Sequence, residues 1–174
     1  MASWPPCAEF TRYDEFVVSY LPTPWPGYLA EVFTSHELRE LRGLVEGERE
    51  RSAVASHLAH GDFDVTPIFQ LEGRYTGLID FGELRGADTF FDLGHFLLHD
   101  QETYAVPLFD DICTGYSEVV PLTTTDRGTI SVSGVLWGLR QLCRWMGFRG
   151  WPSHHALVAG RTKRIRELLK TNAM

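Results

Sequence analysis

The sequence predicts an α+β fold, mainly α-helical, in which one globular domain carries a small β-hairpin layer. Three observations predict it. Two β-rich runs, Pro67–Leu71 and Tyr75–Ile79, flank the connector Glu72-Gly73-Arg74, and a short glycine-containing connector between such runs signals a hairpin. Apolar residues recur at helical spacing before the hairpin and again beyond Pro107. With 174 residues, 44% of them hydrophobic, the chain suffices for one core and falls short of a second full domain.

Taken in order, residues 1–35 interleave proline with aromatics (Trp4, Pro5, Pro6, then Pro22, Pro24, Trp25, Pro26). Such spacing breaks any long helix, so this is expected to be an irregular opening segment ahead of a 36–174 domain. From Ser35 to about Arg51, Leu38, Leu41, Leu44 and Val45 recur among charged residues. That is an amphipathic helix, with Ser35 as its expected N-cap. The apolar run from Val54 to Ala59 leads into His60-Gly61-Asp62. After the hairpin, Asp88 is placed to cap a helix bearing Phe91, Leu93, Phe96 and Leu97. Further helices are expected over Leu108–Val119, about Thr125–Met146, and Ser153–Leu169. Trp137, Leu139, Leu142, Trp145 and Met146 form a core stripe, whereas Arg161, Lys163, Arg164 and Arg166 read as a solvated basic face.

Composition narrows the function. Mean hydropathy is −0.14, and no run reaches the roughly 18 apolar residues a membrane span needs. The N-terminus lacks a basic stretch followed by an apolar core, so no secretory signal is read and a cytoplasmic location is expected. A net charge of −7 argues against nucleic acid as a partner. Cys7, Cys113 and Cys143 form no CxxC pair and read as reduced thiols. His95 and His99 sit four apart, but among Phe96, Leu97 and Leu98 and without a completing acidic residue they read as core or boundary histidines.

Two acidic motifs bracket the hairpin: His60-Gly61-Asp62-Phe63-Asp64 before it and Ile79-Asp80-Phe81-Gly82 after it. Carboxylates just before the first strand and just after the second share the open end of a hairpin. Asp62 and Asp80 are therefore expected to approach within several ångströms. Two such groups can divide labour: one orients a hydroxyl and takes its proton, the other holds a magnesium ion that shields phosphate oxygens.

Followed by Ala87-Asp88-Thr89-Phe90-Phe91-Asp92-Leu93, these motifs closely resemble the aminoglycoside phosphotransferase and choline kinase-like superfamily, strongly over Leu58–Phe96 and loosely beyond. The resemblance implies the C-terminal lobe of a kinase-like fold. It further implies transfer of a nucleotide γ-phosphate, from ATP or GTP with Mg²⁺, to a hydroxyl of a small molecule. Asp62 would be the catalytic base and His60 a bracing member of the same catalytic loop. Asp80, with Phe81 and Gly82, would hold the nucleotide's metal, and Asp92 would anchor the loop.

Two departures stand out. The fifth position after Asp62, an Asn binding a second magnesium in the family, is Pro67, which has neither a side-chain oxygen nor a backbone N–H. Asp64 or Thr66 would have to supply that oxygen. The only lysines are Lys163 and Lys170, and no glycine-rich phosphate loop is present. The N-terminal nucleotide lobe is thus expected to be missing, with a complementing lobe or a homodimer as its substitute and transfer by this chain impaired. Asp110, Asp111 and Glu118 would suit a cationic acceptor. Two other classes compete: a non-catalytic, degenerate kinase-like binding module, favoured by Pro67 and the missing lysine, and a metal-dependent hydrolase gathering His57, His60, Asp62, Asp64 and Asp80 around one ion.

Overall fold

The structure, a computed structural model, describes residues 25–50 and 57–172. Most of the opening segment, Cys7 included, lies outside the described residues, as does the run Val54–Ser56. Among the described residues five α-helices dominate, α1 (Ser35–Glu50), α2 (Phe91–His99), α3 (Phe109–Ser117), α4 (Thr124–Leu142) and α5 (Ala156–Asn172), alongside four short strands, β1 (His57–Ala59), β2 (Ile68–Leu71), β3 (Arg74–Leu78) and β4 (Arg85–Ala87). They make two antiparallel pairs, β2 with β3 and β1 with β4. The mainly helical α+β class is what the sequence predicts.

The β2–β3 hairpin closes more tightly than expected. Arg74 belongs to the strand opposite Leu71, leaving a two-residue turn. Glu72 and Gly73 both have positive φ, 50° and 74°, as a type I′ turn demands. The β1–β4 pair, with Ala59 opposite Arg85 and His57 opposite Ala87, went unread in the sequence. Three-residue strands are too short to display a period of two.

Helix α1 begins one residue away from the expected cap. Thr34, not Ser35, is the N-cap: Glu37 N donates to Thr34 Oγ1 (3.2 Å), and the Glu37 carboxylate accepts from Thr34 N at 2.7 Å. This is the reciprocal Thr-x-x-Glu box. Helix α4 opens the same way, with Thr123 and Asp126. Asp88 is not the cap of α2. Its Oδ1 accepts Phe90 N–H (2.8 Å), a turn that leads into the helix one residue before it starts.

The main core joins Leu41 and Val45 of α1, Leu98 of α2, Val135, Leu139 and Leu142 of α4, and Val158, Ile165 and Leu168 of α5. Leu29, in a 3₁₀ helix over Gly27–Glu31 where the sequence reading expects irregular chain, and Phe33 are buried in the same core. Helix α4 is central, and it lets α2 approach closely because small residues face each other. A Cβ on Gly94 would lie 2.5 Å from Ser133 Cβ, so a larger residue forces the helices apart. Beyond Leu142 the chain winds into a π-helical turn, Cys143–Phe148, within the stretch predicted as regular helix. Cys113 and Cys143 are free thiols.

Of the basic stretch of α5, Lys163 is exposed as expected, but the arginines do not form a solvated face. Arg161 is buried, and its Nη1 donates to Leu98 O (3.1 Å), while Arg164 Nη2 donates to Leu97 O (2.6 Å). Both guanidiniums thereby donate to carbonyls in the last turn of α2, where Leu97 O also accepts the Asp100 N–H (3.4 Å). Arg166 pairs with Glu37 (2.6 Å) and donates to Val32 O, tying α5 to the start of α1. Among the described residues, no helix is long and apolar enough to cross a membrane.

Candidate active site

The β1–β4 pair positions the site. Because Ala59 faces Arg85 in antiparallel register, the residues after β1 and those before β4 emerge at the same edge. His60-Gly61-Asp62 therefore runs beside Phe81-Gly82-Glu83, a single 3₁₀ turn. The contact is tight. Gly61 has φ +88°, and a Cβ there would fall 1.9 Å from Glu83 O, so only glycine fits.

Three groups hold the loop. Asp92, in the first turn of α2, accepts His60 N–H with Oδ2 (2.7 Å) and Gly61 N–H with Oδ1 (2.9 Å). His60 Nε2 lies 2.8 Å from Ile79 O, and its ring is 5.1 Å from that of Phe81. A carbonyl can only accept, so Nε2 carries the proton. His60 thus connects the 60–62 loop directly to the Ile79-Asp80-Phe81 segment. The structure brings His60, Asp92 and Phe81 together, with Gly82 in the adjoining turn.

Asp62 is exposed beyond this clamp and reaches a residue that the sequence did not single out for chemistry. Its Oδ1 lies 3.2 Å from Nε2 of His95, which is itself buried. The hydrogen-bonding imidazole holds the Asp62 carboxyl below its usual range, against a smaller opposing effect of burial. His95 Nδ1 lies 2.9 Å from Phe63 O, and its ring lies 4.2 Å from that of His99, tilted by 36°. Burial, first of all, pushes His99 down to about 3, and His95 and Arg161 add to the effect. His99 is therefore neutral, with Nδ1 bonded to His95 O and Nε2 facing the Gln141 amide (3.0 Å).

Asp80 sits at the turn between β3 and the 3₁₀ turn in the left-handed region, φ 66° and ψ 51°, with its side chain exposed. Asp tolerates that conformation better than most residues. Asp64 is placed differently: its Oδ1 accepts both the N–H and the hydroxyl of Thr66, each at 2.6 Å, closing a local turn. Pro67 is buried beside it. Among the described residues, no group of three or more His, Cys, Asp or Glu side chains converges as a metal site. The five-ligand cluster of the hydrolase reading is thus not assembled. Magnesium needs less from protein, since one or two carboxylates suffice where phosphates and water complete the shell. The exposed Asp80 carboxylate is chemically compatible with such a role, whereas Pro67 offers no side-chain oxygen.

A cleft of about 140 Å³ opens beside Asp62, walled by Glu83, His95, Trp137, Arg140, Gln141 and Arg144. The Arg140 guanidinium lies 4.7 Å from the Trp137 ring centre, and Arg85, ion-paired with Glu83, lies 5.9 Å from it. Trp137, Arg140, Gln141 and Arg144 follow i, i+3, i+4, i+7 spacing, so one face of α4 and its π-helical extension forms the wall. That polar-aromatic stripe was a usable signal in the sequence, masked by the apolar stripe it overlaps. Asp110, Asp111 and Glu118 do not line this cleft, and Asp110 instead pairs with Arg127 (2.9 Å).

Comparisons with known proteins come from structure alone, since no family profile and no curated sequence matches this chain. Among solved structures, aminoglycoside phosphotransferase APH(4)-Ia matches with a TM-score of 0.67 and 15% sequence identity, covering 95% of this chain. A thermostable mutant of that enzyme (D198A), in ternary complex with ADP and hygromycin B, matches equally, and the N202A mutant with AMP-PNP and hygromycin B gives 0.65. The chain spans about half of that enzyme's length, 54%. At this identity the likeness establishes the fold: a kinase-like fold of the aminoglycoside phosphotransferase type, in an extent consistent with the C-terminal lobe alone.

Proposed function

We propose that this lobe is the acceptor-side half of a small-molecule phosphotransferase, with Asp62 as the group that orients the acceptor hydroxyl and takes its proton. One observation carries the reading. An exposed carboxylate, backed by a buried imidazole, stands at the mouth of a cleft on a loop clamped to the Ile79-Asp80-Phe81 segment. The related enzyme's complexes with ADP, AMP-PNP and hygromycin B support a nucleotide donor and a small hydroxylated acceptor.

In this reading the acceptor oxygen bonds to the γ-phosphorus while the bond from that phosphorus to the leaving nucleotide oxygen breaks. The hydroxyl proton moves to Asp62. Asp80, with Phe81 and Gly82 shaping its turn, would hold Mg²⁺, which when bound neutralises charge on the phosphate oxygens. Asp64 would contribute only through an oxygen not engaged by Thr66. His60 and Asp92 act on the loop backbone and leave the chemistry to Asp62. The cleft carries Arg140 and Arg144 beside Asp62 and Glu83, so a purely cationic acceptor is disfavoured there.

A lysine and a glycine-rich loop for the β- and γ-phosphates would come from a complementing lobe, since a second copy of this chain carries no glycine-rich loop either. Pro67 favours a second reading, a non-catalytic, degenerate kinase-like module that binds a small molecule or a partner protein, because it removes one metal ligand outright. Calorimetry with ATP, with and without Mg²⁺, on the wild-type chain and Asp80→Asn decides between them. Metal-dependent binding weakened by Asp80→Asn is expected for a phosphotransferase. Absence of nucleotide binding under every condition overturns it.

A further inference from the structure

Resting on that phosphotransfer reading, we infer that His95 is a positioning residue for Asp62: a proton on its Nε2 holds Asp62 Oδ1, leaving the second carboxylate oxygen for the acceptor hydroxyl. The case follows from hydrogen-bond direction. His95 Nδ1 lies 2.9 Å from Phe63 O. A backbone carbonyl offers no proton, so Nδ1 must carry one. A neutral imidazole protonated there presents a lone pair at Nε2, and at 3.2 Å that lone pair would oppose the lone pairs of an ionised Asp62. The contact is attractive only with a proton between Nε2 and Oδ1. Nδ1–H to Phe63 O and Nε2–H to Asp62 Oδ1 together fix the imidazole in its plane.

The His99 ring adjoins that of His95 but is neutral, its Nδ1–H donated to His95 O and its Nε2 accepting from Gln141. It therefore brings no competing positive charge against the His95 ring. Glu83, Arg140 and Arg144 line the cleft with the pair, His60 acts on Asp62 from the same loop, and Arg161 of α5, itself paired with Glu102 (2.8 Å), acts on His99. Asp62 is the carboxylate in contact with His95.

A buried donor supplies what an exposed catalytic carboxylate lacks. The Asp62 side chain is 57% exposed, so without a partner it would sample several rotamers. His95, 2% exposed, has no such freedom. Reach from a fixed helix onto a mobile side chain is how a base is held for its proton.

The test is ¹⁵N NMR of the full 174-residue chain labelled at histidine, at neutral pH, with His95→Gln identifying the resonances. The expected result is protons on both ring nitrogens of His95 and on Nδ1 alone of His99. In Asp62→Asn, an isosteric change at an exposed side chain, His95 should lose its Nε2 proton and keep Nδ1–H. A His95 already unprotonated at Nε2 in the wild type, or unaltered by Asp62→Asn, overturns the inference. The readout needs neither nucleotide nor turnover. A failed nucleotide titration therefore removes the phosphotransfer reading, and a neutral His95 removes this inference, each on separate data.

Discussion

The carboxylate of Asp92 accepts the backbone N–H of His60 at 2.7 Å, joining helix α2 to a loop 32 positions earlier, and its other oxygen accepts the next amide, that of Gly61. A single side chain thus satisfies two successive donors in a segment where both residues are buried. Asp92→Ala strands both amides. A buried donor without a partner destabilises by about 1–3 kcal/mol, with charge-assisted bonds at the upper end. The expected loss is about 2–4 kcal/mol in denaturant unfolding, with faster hydrogen exchange at the amides of His60 and Gly61.

Gly61 gives a second expectation at the same turn. Alanine there meets both a left-handed backbone and a Glu83 carbonyl 1.9 Å from the added carbon. Left-handed strain of about 1–2 kcal/mol and overpacking of about 1–3 kcal/mol combine. Thermal unfolding of Gly61→Ala should show a drop of about 2–4 kcal/mol. An unchanged melting temperature would contradict the close approach of the two loops.

The hairpin offers a change in the opposite direction. Glu72 occupies the first centre of a type I′ turn with φ 50°, a conformation asparagine adopts more readily. Glu72→Asn should stabilise by about 0.5 kcal/mol, read as a small upward shift in the denaturation midpoint.

Acid should weaken the fold through His99. Its folded-state pKa is about 3 against an ordinary 6.5, so between those values the unfolded chain binds a proton that the folded chain refuses. Stability is then complete above pH 6.5 and falls as the pH drops toward 3, by at most about 1.4 kcal/mol per pH unit for this one group. Urea titrations at pH 7, 6 and 5 should show that decline. His99→Gln, which cannot take up the proton, should flatten the part of the decline that begins below 6.5.

Catalysis gives the last prediction. Alone, the 174-residue chain carries no lysine near the loop motifs, its two lysines being Lys163 and Lys170 on α5. It is expected to show no measurable transfer from MgATP to an aminoglycoside or aminoalcohol hydroxyl. Turnover that Asp62→Asn abolishes would show that the lobe suffices without a partner.

Local chemistry was legible wherever a signal lies in neighbouring residues. Helices α1, α3, α4 and α5 follow from 3.6-residue periodicity, and the β2–β3 hairpin from a glycine connector. That His60 meets the Ile79-Asp80-Phe81 segment was also readable, because the two motifs flank one hairpin. Where a neighbour offered an equal or better choice, the reading slipped: Thr34 rather than Ser35 caps α1, since only Thr34 has an acidic residue three positions on.

The sequence by itself determined which segments become helix or hairpin and which residues stand on the acidic loops, because periodicity, caps and turns act over a few residues. Tertiary structure alone decided that His95 faces Asp62, that Arg161 and Arg164 close the end of α2, and that one face of α4 walls the cleft. These pairings depend on how far α2, α4 and α5 can approach, which small residues such as Gly94 and Ser133 set across the fold. Such distances between remote segments leave no period in the chain.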